Sequence, residues 1–232
     1  MTRDLRARSV LAGEASAAAA ELEAALATPS VSHAAAFFDV DNTLLQGASV
    51  IFDELMADRI WPGTKALAQQ HLDAGERVWL VTAAPVEVAR VLARRLGLTG
   101  ALGTVAAHRD GVYTGVLVGD ILHGPAKAEA VRALARHEEL DLTACSAYSD
   151  SVNDLPMLEM VGNPWAINPD SRLLRHARTA GWPVRDYRTG RRATRLLLLT
   201  AGASGVTLGA VSAAVAIQRC LSRGCGSRRR VS

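Results

Sequence analysis

Cysteines in paired or metal-binding patterns are missing from this 232-residue sequence. It has three cysteines, Cys145, Cys220 and Cys225, and their spacing matches neither a zinc site nor an even-numbered disulfide framework. The six histidines show no metal-ligand spacing either. These absences argue against a disulfide-stabilised secreted protein and favour a protein of the reducing cytoplasm.

Charge is distributed unevenly along the chain. Lysine occurs only at Lys65 and Lys127, against 24 arginines, and residues 191–232 carry eight arginines and no acidic residue. The net charge of +3 therefore combines +8 in this tail with −5 in residues 1–190. Because the basic charge belongs to a tail and not to a face of the body, we expect no nucleic-acid partner.

The sequence shows no internal repeat, and its length suits one sizeable domain with an appendage. Residues 1–33 begin with arginines that glutamates soon interrupt, so we expect a helical or mobile segment there and no signal peptide. A core domain is expected over residues 34–190, followed by a basic-flanked apolar tail over residues 191–232.

Short apolar runs alternate with helical segments between residues 34 and 168. The predicted strands are AAAFFDV, RVWLVTA, ALGTVAA, TACSAYS and NPWAIN, and the predicted helices cover residues 64–74, 86–96 and 126–137. Asp110 and Gly111 between extended flanks predict a small β-hairpin after the third strand. This alternation predicts an α/β fold with a Rossmann-like parallel sheet flanked by helices.

Four motifs lie at the ends of these elements. DVDNT follows the first strand, VTAAP the second and YSDSVNDLPML the fourth, while GPAKAEAV opens a later helix. Ligands of parallel sheets bind outside the carboxyl ends of the strands. We therefore expect Asp39, Thr82 and Asp150 to lie at one such edge.

The first motif places two carboxylates after an apolar run. In extended backbone Asp39 and Asp41 point the same way. Burying unpaired carboxylates costs several kcal/mol, so a cation, a phosphate-handling role or exposure at a turn must compensate. A carboxylate can act as the nucleophile of phosphoryl transfer. The negative charge of the first carboxylate raises the pKa of the second carboxyl group, and a raised pKa suits a general acid and base.

Together, in this order, the four motifs resemble those of the haloacid dehalogenase-like hydrolase superfamily, closest to its phosphoserine-phosphatase-like branch, over residues 34–187. The resemblance implies a Mg²⁺-dependent phosphomonoester hydrolase that acts on a phosphorylated substrate. In it Asp39 would form an aspartyl-phosphate and Asp41 would be the acid and base. The other implied residues are the phosphate ligands Thr82, Lys127 and Asn153, and the metal ligands Asp39, Asp41 (through its carbonyl), Asp150 and Asp154.

Each implied ligand also has a simpler interpretation. Asp150 and Asp154 suit an acidic helix N-terminus, and Thr82 suits an ordinary strand end. Lys127 could be a solvated side chain. However, the helix dipole disfavours a lysine at a helix start, which favours a functional reason for its position.

The cap that is usual in this branch is almost absent. Only 20 residues separate Asp41 from Pro62, and residues 45–61 would form a vestigial cap segment in place of a helical lid. Because a lid excludes water and selects the substrate, phosphoserine specificity does not follow from the resemblance. A phosphotransferase and a non-catalytic or weakly active regulatory protein are the alternatives.

The tail contains a long uncharged stretch. Residues 196–217 are 22 residues without a charge. This is the length that spans the roughly 30 Å hydrocarbon core of a bilayer. Gly205 and Gly209 form a GxxxG pair that permits close helix pairing. These features predict a C-terminal apolar helix that attaches a cytoplasmic catalytic domain to the membrane, and a homodimer through that helix. A soluble helix packed on the body is the alternative.

Overall fold

The computed structural model describes residues 2–24, 32–41, 43–44 and 60–188. The chain divides into two units, Met1–Tyr187 and Arg188–Ser232. Nearly all of the predicted cap segment 45–61, and the whole predicted apolar helix 196–217, lie outside the described residues. Within the described ranges, every helix is too short or too polar to serve as a transmembrane span.

The first unit alternates strands with helices. The strands are β1 (Ala35–Asp39), β2 (Arg77–Pro85), β3 (Gly100–Thr104), β4 (Ala106–Arg109), β5 (Val112–Leu117), β6 (Ser146–Ser149), β7 (Asn163–Ile167) and β8 (Val184–Arg185). The helices are α1 (Thr2–Ala24), α2 (Pro62–Asp73), α3 (Val86–Leu96), α4 (Pro125–His137), α5 (Leu155–Leu158) and α6 (Ser171–Ala180), with a 3₁₀ turn over Val152–Asp154. Six of the described strands form one parallel sheet in the order β3-β2-β1-β6-β7-β8. The predicted α/β fold with a parallel sheet flanked by helices is confirmed.

Strand β1 lies in the middle of the sheet, and all five of its residues are buried. Strands that are covered on both faces read as continuous apolar runs, which explains its sequence. Phe37 pairs in register with Trp79 and packs into one core cluster, whereas Phe38 pairs with Tyr148 and packs into the other. The two phenylalanines therefore anchor the layers on opposite faces of the sheet.

Helix α1 packs closely on α4 through small residues. Ala12 and Ala17 are buried, and a Cβ atom on Gly13 would lie 2.7 Å from the backbone nitrogen of Ala130. The hydroxyl of Ser16 accepts a hydrogen bond of 3.0 Å from the backbone N–H of Gly103. The N-terminal segment is thus a helix held against the sheet and α4.

Local signals explain several element boundaries. Helix α3 covers the predicted residues and ends at Gly97, whose φ of 69° permits the left-handed C-terminal position. Helix α6 and strand β8 were not predicted, although Asp170 caps the start of α6 and Gly181 (φ 72°) follows its end. The predicted hairpin is confirmed as β4 and β5, with Asp110 and Gly111 both at positive φ in the turn.

The sheet order brings the motifs together. Strands β1 and β6 are neighbours, as are β1 and β2. Asp39 ends β1, Thr82 lies in the carboxyl-terminal half of β2 and Asp150 follows β6, so the three lie toward one edge. Parallel pairing of adjacent strands requires this arrangement. The candidate site is therefore at the edge where the sequence predicted it.

Candidate active site

Asp39 and Lys127 form a buried ion pair at this edge. Asp39 is the last residue of β1, and one of its carboxylate oxygens contacts the Nζ atom of Lys127. The side chains of both residues are at most 6% exposed. Lys127 lies in the first turn of α4, as its motif predicted, so the helix start carries a cation into the interior.

Asp154 contacts the same ammonium group from the other side. Its Oδ2 atom lies 2.9 Å from Nζ of Lys127 and also accepts a hydrogen bond of 2.7 Å from the hydroxyl of Ser149. The Oδ1 atom is buried and has no hydrogen-bond partner among the described residues. A buried carboxylate oxygen without a partner is costly, and a cation would satisfy it.

The electrostatics of the pair follow from burial and charge. Burial raises the pKa of Asp39 to about 6, with Asp154 and Asp41 adding to the shift and Lys127 opposing it. Burial would lower the pKa of Lys127, but the carboxylates of Asp39 and Asp154 outweigh this effect and raise it. Near neutral pH the site therefore holds an ammonium ion and an ionised Asp39 carboxylate.

Asp41 borders this cluster at the surface. Its side chain is exposed, and its carbonyl oxygen accepts a hydrogen bond of 2.6 Å from the backbone N–H of Thr43. Desolvation raises the pKa of Asp41, and the charge of Lys127 opposes that shift. A raised carboxyl pKa beside an exposed edge is what an acid that donates a proton to a leaving group requires.

The other predicted ligands lie on the loops around this cluster. Thr82 is buried at the end of the sheet, and its hydroxyl accepts a hydrogen bond of 3.2 Å from the backbone N–H of Ala84. Asp150 is half-buried, and its carbonyl oxygen accepts from the backbone N–H of Asp170 at 2.7 Å. Asn153 is exposed on the 3₁₀ turn. The structure joins Asp39, Lys127 and Asp154 by direct contacts and puts the remaining predicted residues on the same edge.

The carboxylates fit a hard divalent cation. Asp39, Asp150 and Asp154 offer oxygen ligands of the kind that Mg²⁺ prefers, and Asp154 Oδ1 is the unpartnered atom. Within the described residues, no three acidic, histidine or cysteine side chains already converge on one point. Lys127 lies between two of the predicted ligands, Asp39 and Asp154, and neutralises part of their charge.

Sequence reasoning missed three residues that organise this edge. The Thr43 hydroxyl donates to Asp39 Oδ2 at 3.2 Å, and the Ser149 hydroxyl donates to Asp154. Asp170 hydrogen-bonds the loop that carries Asp150. Thr43 and Ser149 stand inside the quoted motifs, so their hydroxyls were visible signals, whereas Asp170 lies outside every motif.

The sequence of this chain is similar to those of known hydrolases. Residues 48–159 match the family described as haloacid dehalogenase-like hydrolase. Over 163 residues the chain is 58% identical to a protein of Mycobacterium tuberculosis (strain ATCC 25618 / H37Rv) named phosphoserine phosphatase SerB1, with 70% of this chain and 53% of that protein aligned. The chain thus spans about half the length of the curated relatives it matches.

Solved structures share the fold. A protein of unknown function from Bordetella pertussis Tohama I superposes with a TM-score of 0.60 at 23% identity, covering 68% of this chain and all of that one. A phosphoserine phosphatase in its apo form superposes with a TM-score of 0.51 at 18% identity, covering 66% of this chain and 92% of that one. At these identities the likeness establishes the fold alone.

Proposed function

Residues 48–159 of this chain match the haloacid dehalogenase-like hydrolase family, and on that premise we propose that the protein is a Mg²⁺-dependent phosphomonoester hydrolase acting through an aspartyl-phosphate on Asp39. The observation that carries the proposal is the buried cluster in which Lys127 contacts both Asp39 and Asp154. A nucleophilic carboxylate, a fixed cation and a second carboxylate at one sheet edge are the parts that phosphoryl transfer needs.

The metal site would use the oxygens at this edge. Asp39, Asp150, Asp154 and the backbone carbonyl of Asp41 would hold Mg²⁺, and the unpartnered Oδ1 of Asp154 supports this assignment. When bound, the ion would offset the negative charge that develops on the phosphoryl oxygens.

In the first step, a carboxylate oxygen of Asp39 attacks phosphorus in line with the leaving oxygen. The bond from phosphorus to the leaving oxygen breaks, and Asp41 donates a proton to that oxygen. Lys127, the Thr82 hydroxyl and Asn153 hold the phosphoryl group, and the Lys127 ammonium is already at Asp39. Desolvation raises the pKa of Asp41, which suits a proton donor.

In the second step, the Asp41 carboxylate takes a proton from water, and the resulting hydroxide attacks phosphorus of the aspartyl-phosphate. The bond between phosphorus and the Asp39 oxygen breaks, which releases inorganic phosphate and restores both aspartates. Lys127 would again offset the charge of the freed Asp39 carboxylate, and its contact with that carboxylate in the resting protein supports this role.

The proposed substrate class is a phosphomonoester. The residues of the site do not specify its leaving group. A relative at 58% identity is named a phosphoserine phosphatase, which makes phosphoserine the first compound to assay. The 20 residues between Asp41 and Pro62 are too few for a large helical lid, which argues against narrow selection of one small substrate.

The test of the proposal is hydrolysis of an aryl phosphate by the full chain and by Asp39→Asn. We expect the wild type to require Mg²⁺ and Asp39→Asn to lose activity by about 10⁴-fold or more, as removal of a nucleophile does. The matched control is Asp110→Asn, the same change in an exposed turn at φ 53°, where asparagine is tolerated. Unchanged turnover in Asp39→Asn would refute the proposal.

Two alternatives are distinguished by further measurements on the wild type. Trapping of the aspartyl-phosphate state by a fluoride analogue of phosphate in the presence of Mg²⁺, without hydrolysis of the ester in water, would indicate a phosphotransferase that needs another acceptor. Absence of Mg²⁺ binding by the wild type would indicate a non-catalytic regulatory protein.

We also propose that the C-terminal tail attaches the protein to a membrane. Residues 196–217 would form an apolar helix that attaches the catalytic domain to the cytoplasmic face of a membrane, and the Gly205 and Gly209 pair would support a homodimer. The uncharged length and the flanking arginines of this segment support the proposal.

A further inference from the structure

We propose that Asp170 is a positioning residue that holds the loop carrying Asp150 and Asn153 in its binding geometry. This inference rests on the proposed function of that loop. Asp170 lies beyond the motifs, three residues after the end of β7 at Ile167, and it immediately precedes the first residue of α6. Its side chain therefore lies at the start of a helix, while the loop it contacts follows β6.

Asp170 makes hydrogen bonds in two directions. Toward the loop, its backbone N–H donates to the carbonyl oxygen of Asp150 at 2.7 Å, and its Oδ2 accepts from the backbone N–H of Val152 at 2.9 Å. Toward the helix, its Oδ1 accepts from the N–H groups of Arg172 and Leu173 at 2.7 and 2.8 Å. One carboxylate thus joins the start of α6 to the loop.

The loop bonds bracket the proposed metal ligand. The carbonyl oxygen of Asp150 accepts a hydrogen bond from the N–H of Asp170. Two residues further on, the N–H of Val152 donates to Oδ2 of Asp170. Two other contacts of this stretch are local, because the Ser151 N–H donates to the Ser149 hydroxyl and the Asn153 N–H donates to the Ser151 hydroxyl. Asp154 at the end of the stretch contacts Lys127 of α4, and Asp170 ties the part before it to the start of α6.

Substitution of a residue that orients a metal ligand typically weakens metal affinity by about 10- to 100-fold. A displacement of the loop by a fraction of an ångström would misplace the carboxylate of Asp150 and the amide of Asn153 relative to Asp39. Loss of the Asp170 contact is therefore expected to weaken metal binding without removing a ligand.

The two oxygens of Asp170 allow the two roles to be separated. In Asp170→Asn the single amide oxygen can still cap α6, since asparagine is as good an N-cap as aspartate. The amide nitrogen that replaces the other oxygen cannot accept from Val152. This substitution therefore removes the side-chain bond to Val152 and keeps the helix cap, whereas Asp170→Ala removes both. The backbone bond to the Asp150 carbonyl oxygen remains in either variant.

The experiment compares the full-length wild type, Asp170→Asn and the control Ala177→Gly. The control weakens α6 at a buried position in the helix interior, without touching the loop. Three quantities are measured: the exchange rate of the Val152 amide proton, the dissociation constant of Mg²⁺ by calorimetry, and kcat and KM on an aryl phosphate. Melting temperatures are recorded for all three proteins.

We expect Asp170→Asn to melt no lower than Ala177→Gly, to exchange its Val152 amide faster and to bind Mg²⁺ about tenfold more weakly. Its kcat should be partly restored by raising the Mg²⁺ concentration. Ala177→Gly should lower the melting temperature and leave the Mg²⁺ dissociation constant unchanged. Wild-type Mg²⁺ affinity in Asp170→Asn, or equal weakening in Ala177→Gly, would overturn the inference.

Failure of the proposed function gives a different result. In that case the wild type itself would bind no Mg²⁺ and hydrolyse no phosphate, while Val152 exchange would still report whether Asp170 holds the loop. That outcome would leave Asp170 as a purely structural contact and would overturn its positioning role together with the function.

Discussion

The hydroxyl of Ser149 lies 2.7 Å from Oδ2 of Asp154 and donates a hydrogen bond to it. Both residues are buried, and Ser149 ends strand β6 where the motif begins. A donor on Oδ2 orients the carboxylate so that Oδ1 is left without a protein partner. Ser149 is therefore part of the geometry of Asp154.

Substitution Ser149→Ala removes the hydrogen bond to Asp154 and keeps most of the packing of the side chain. Loss of one buried hydrogen bond is expected to cost about 1 kcal/mol of unfolding free energy. Misorientation of Asp154 is expected to lower kcat about tenfold at limiting Mg²⁺. The matched control is Ser146→Ala, a buried serine at the opposite end of the same strand. Equal kinetic effects in the two variants would contradict the role of Ser149.

Substitution Lys127→Met removes the cation and keeps most of the side-chain length. Asp39 and Asp154 are then left buried together, which is expected to cost about 3 kcal/mol of unfolding free energy at pH 7. Without Lys127 the pKa of Asp39 rises further, because Lys127 opposes the upward shift in the wild type. Asp39 is then protonated over a wider pH range, so the destabilisation should shrink between pH 7 and pH 5.

The control for this prediction is Lys65→Met, the same change at the other lysine of the chain, which is exposed on α2. Urea unfolding at pH 7 and pH 5 measures both variants. Lys127→Met should also lose phosphatase activity, and Lys65→Met should keep it. A Lys127→Met protein as stable as the wild type at pH 7 would show that the pair contributes no stability.

The stability contributed by Asp170 should depend on pH. Burial raises its pKa, but hydrogen bonds from the N–H groups of Leu173, Val152 and Arg172 outweigh this and hold it below the ordinary value of 3.8. A carboxylate with a depressed folded pKa contributes stability above the unfolded pKa, and that contribution is lost as the pH falls through the folded pKa. Asp170→Ala should therefore be about 1 to 2 kcal/mol less stable than the wild type at pH 7.

The difference between Asp170→Ala and the wild type should narrow as the pH falls below the ordinary value of 3.8 and through the lower pKa of Asp170 in the folded protein. Thermal or urea unfolding from pH 7 to pH 3 measures it. A difference that stays constant over this range would mean that the charge of Asp170 is irrelevant and that only its shape stabilises the fold.

A panel of phosphate esters should reveal broad specificity. Asp41 is exposed and the short segment after it leaves little chain to enclose a substrate, so few contacts can discriminate among leaving groups. Each such contact changes kcat/KM by about 10- to 200-fold. We expect small substrates, phosphoserine included, to differ by no more than that. One small metabolite preferred by several orders of magnitude would contradict the prediction.

Removal of the tail should change the partition of the protein between membrane and supernatant. The full chain is expected in the detergent-soluble membrane fraction, and a truncation after Gly190 in the supernatant, because the apolar residues 196–217 are then absent. Hydrolysis by the truncated protein serves as the control for folding. A full chain that stays in the supernatant without aggregating would disprove the anchor.

Local pattern was sufficient to predict much of the fold. The apolar run that ends in Asp39 predicted a strand, and glycines after helical segments predicted helix ends such as Gly97. These signals act within a few residues, so they are readable without tertiary context. The same spacing predicted that Asp39, Thr82 and Asp150 would lie at one edge, because neighbouring parallel strands all end there.

Other features depend on contacts between distant parts of the chain. Helix α1 is rich in alanine on all sides, so its pattern did not show that Ala12 and Ala17 face the core or that Gly13 crosses α4. The contact of Lys127 with Asp39 joins residues 88 positions apart, and that of Asp170 with Val152 joins residues 18 apart across two elements.

The sequence by itself determined which chemical groups stand at the ends of which strands, because strand periodicity and turn residues act locally. Only the tertiary structure decided that Lys127 lies between Asp39 and Asp154, that Ser149 orients Asp154, and that Asp170 holds the loop. These relations depend on how the layers pack in space. Packing is set by the sum of many weak contacts over the whole fold and leaves no local signature.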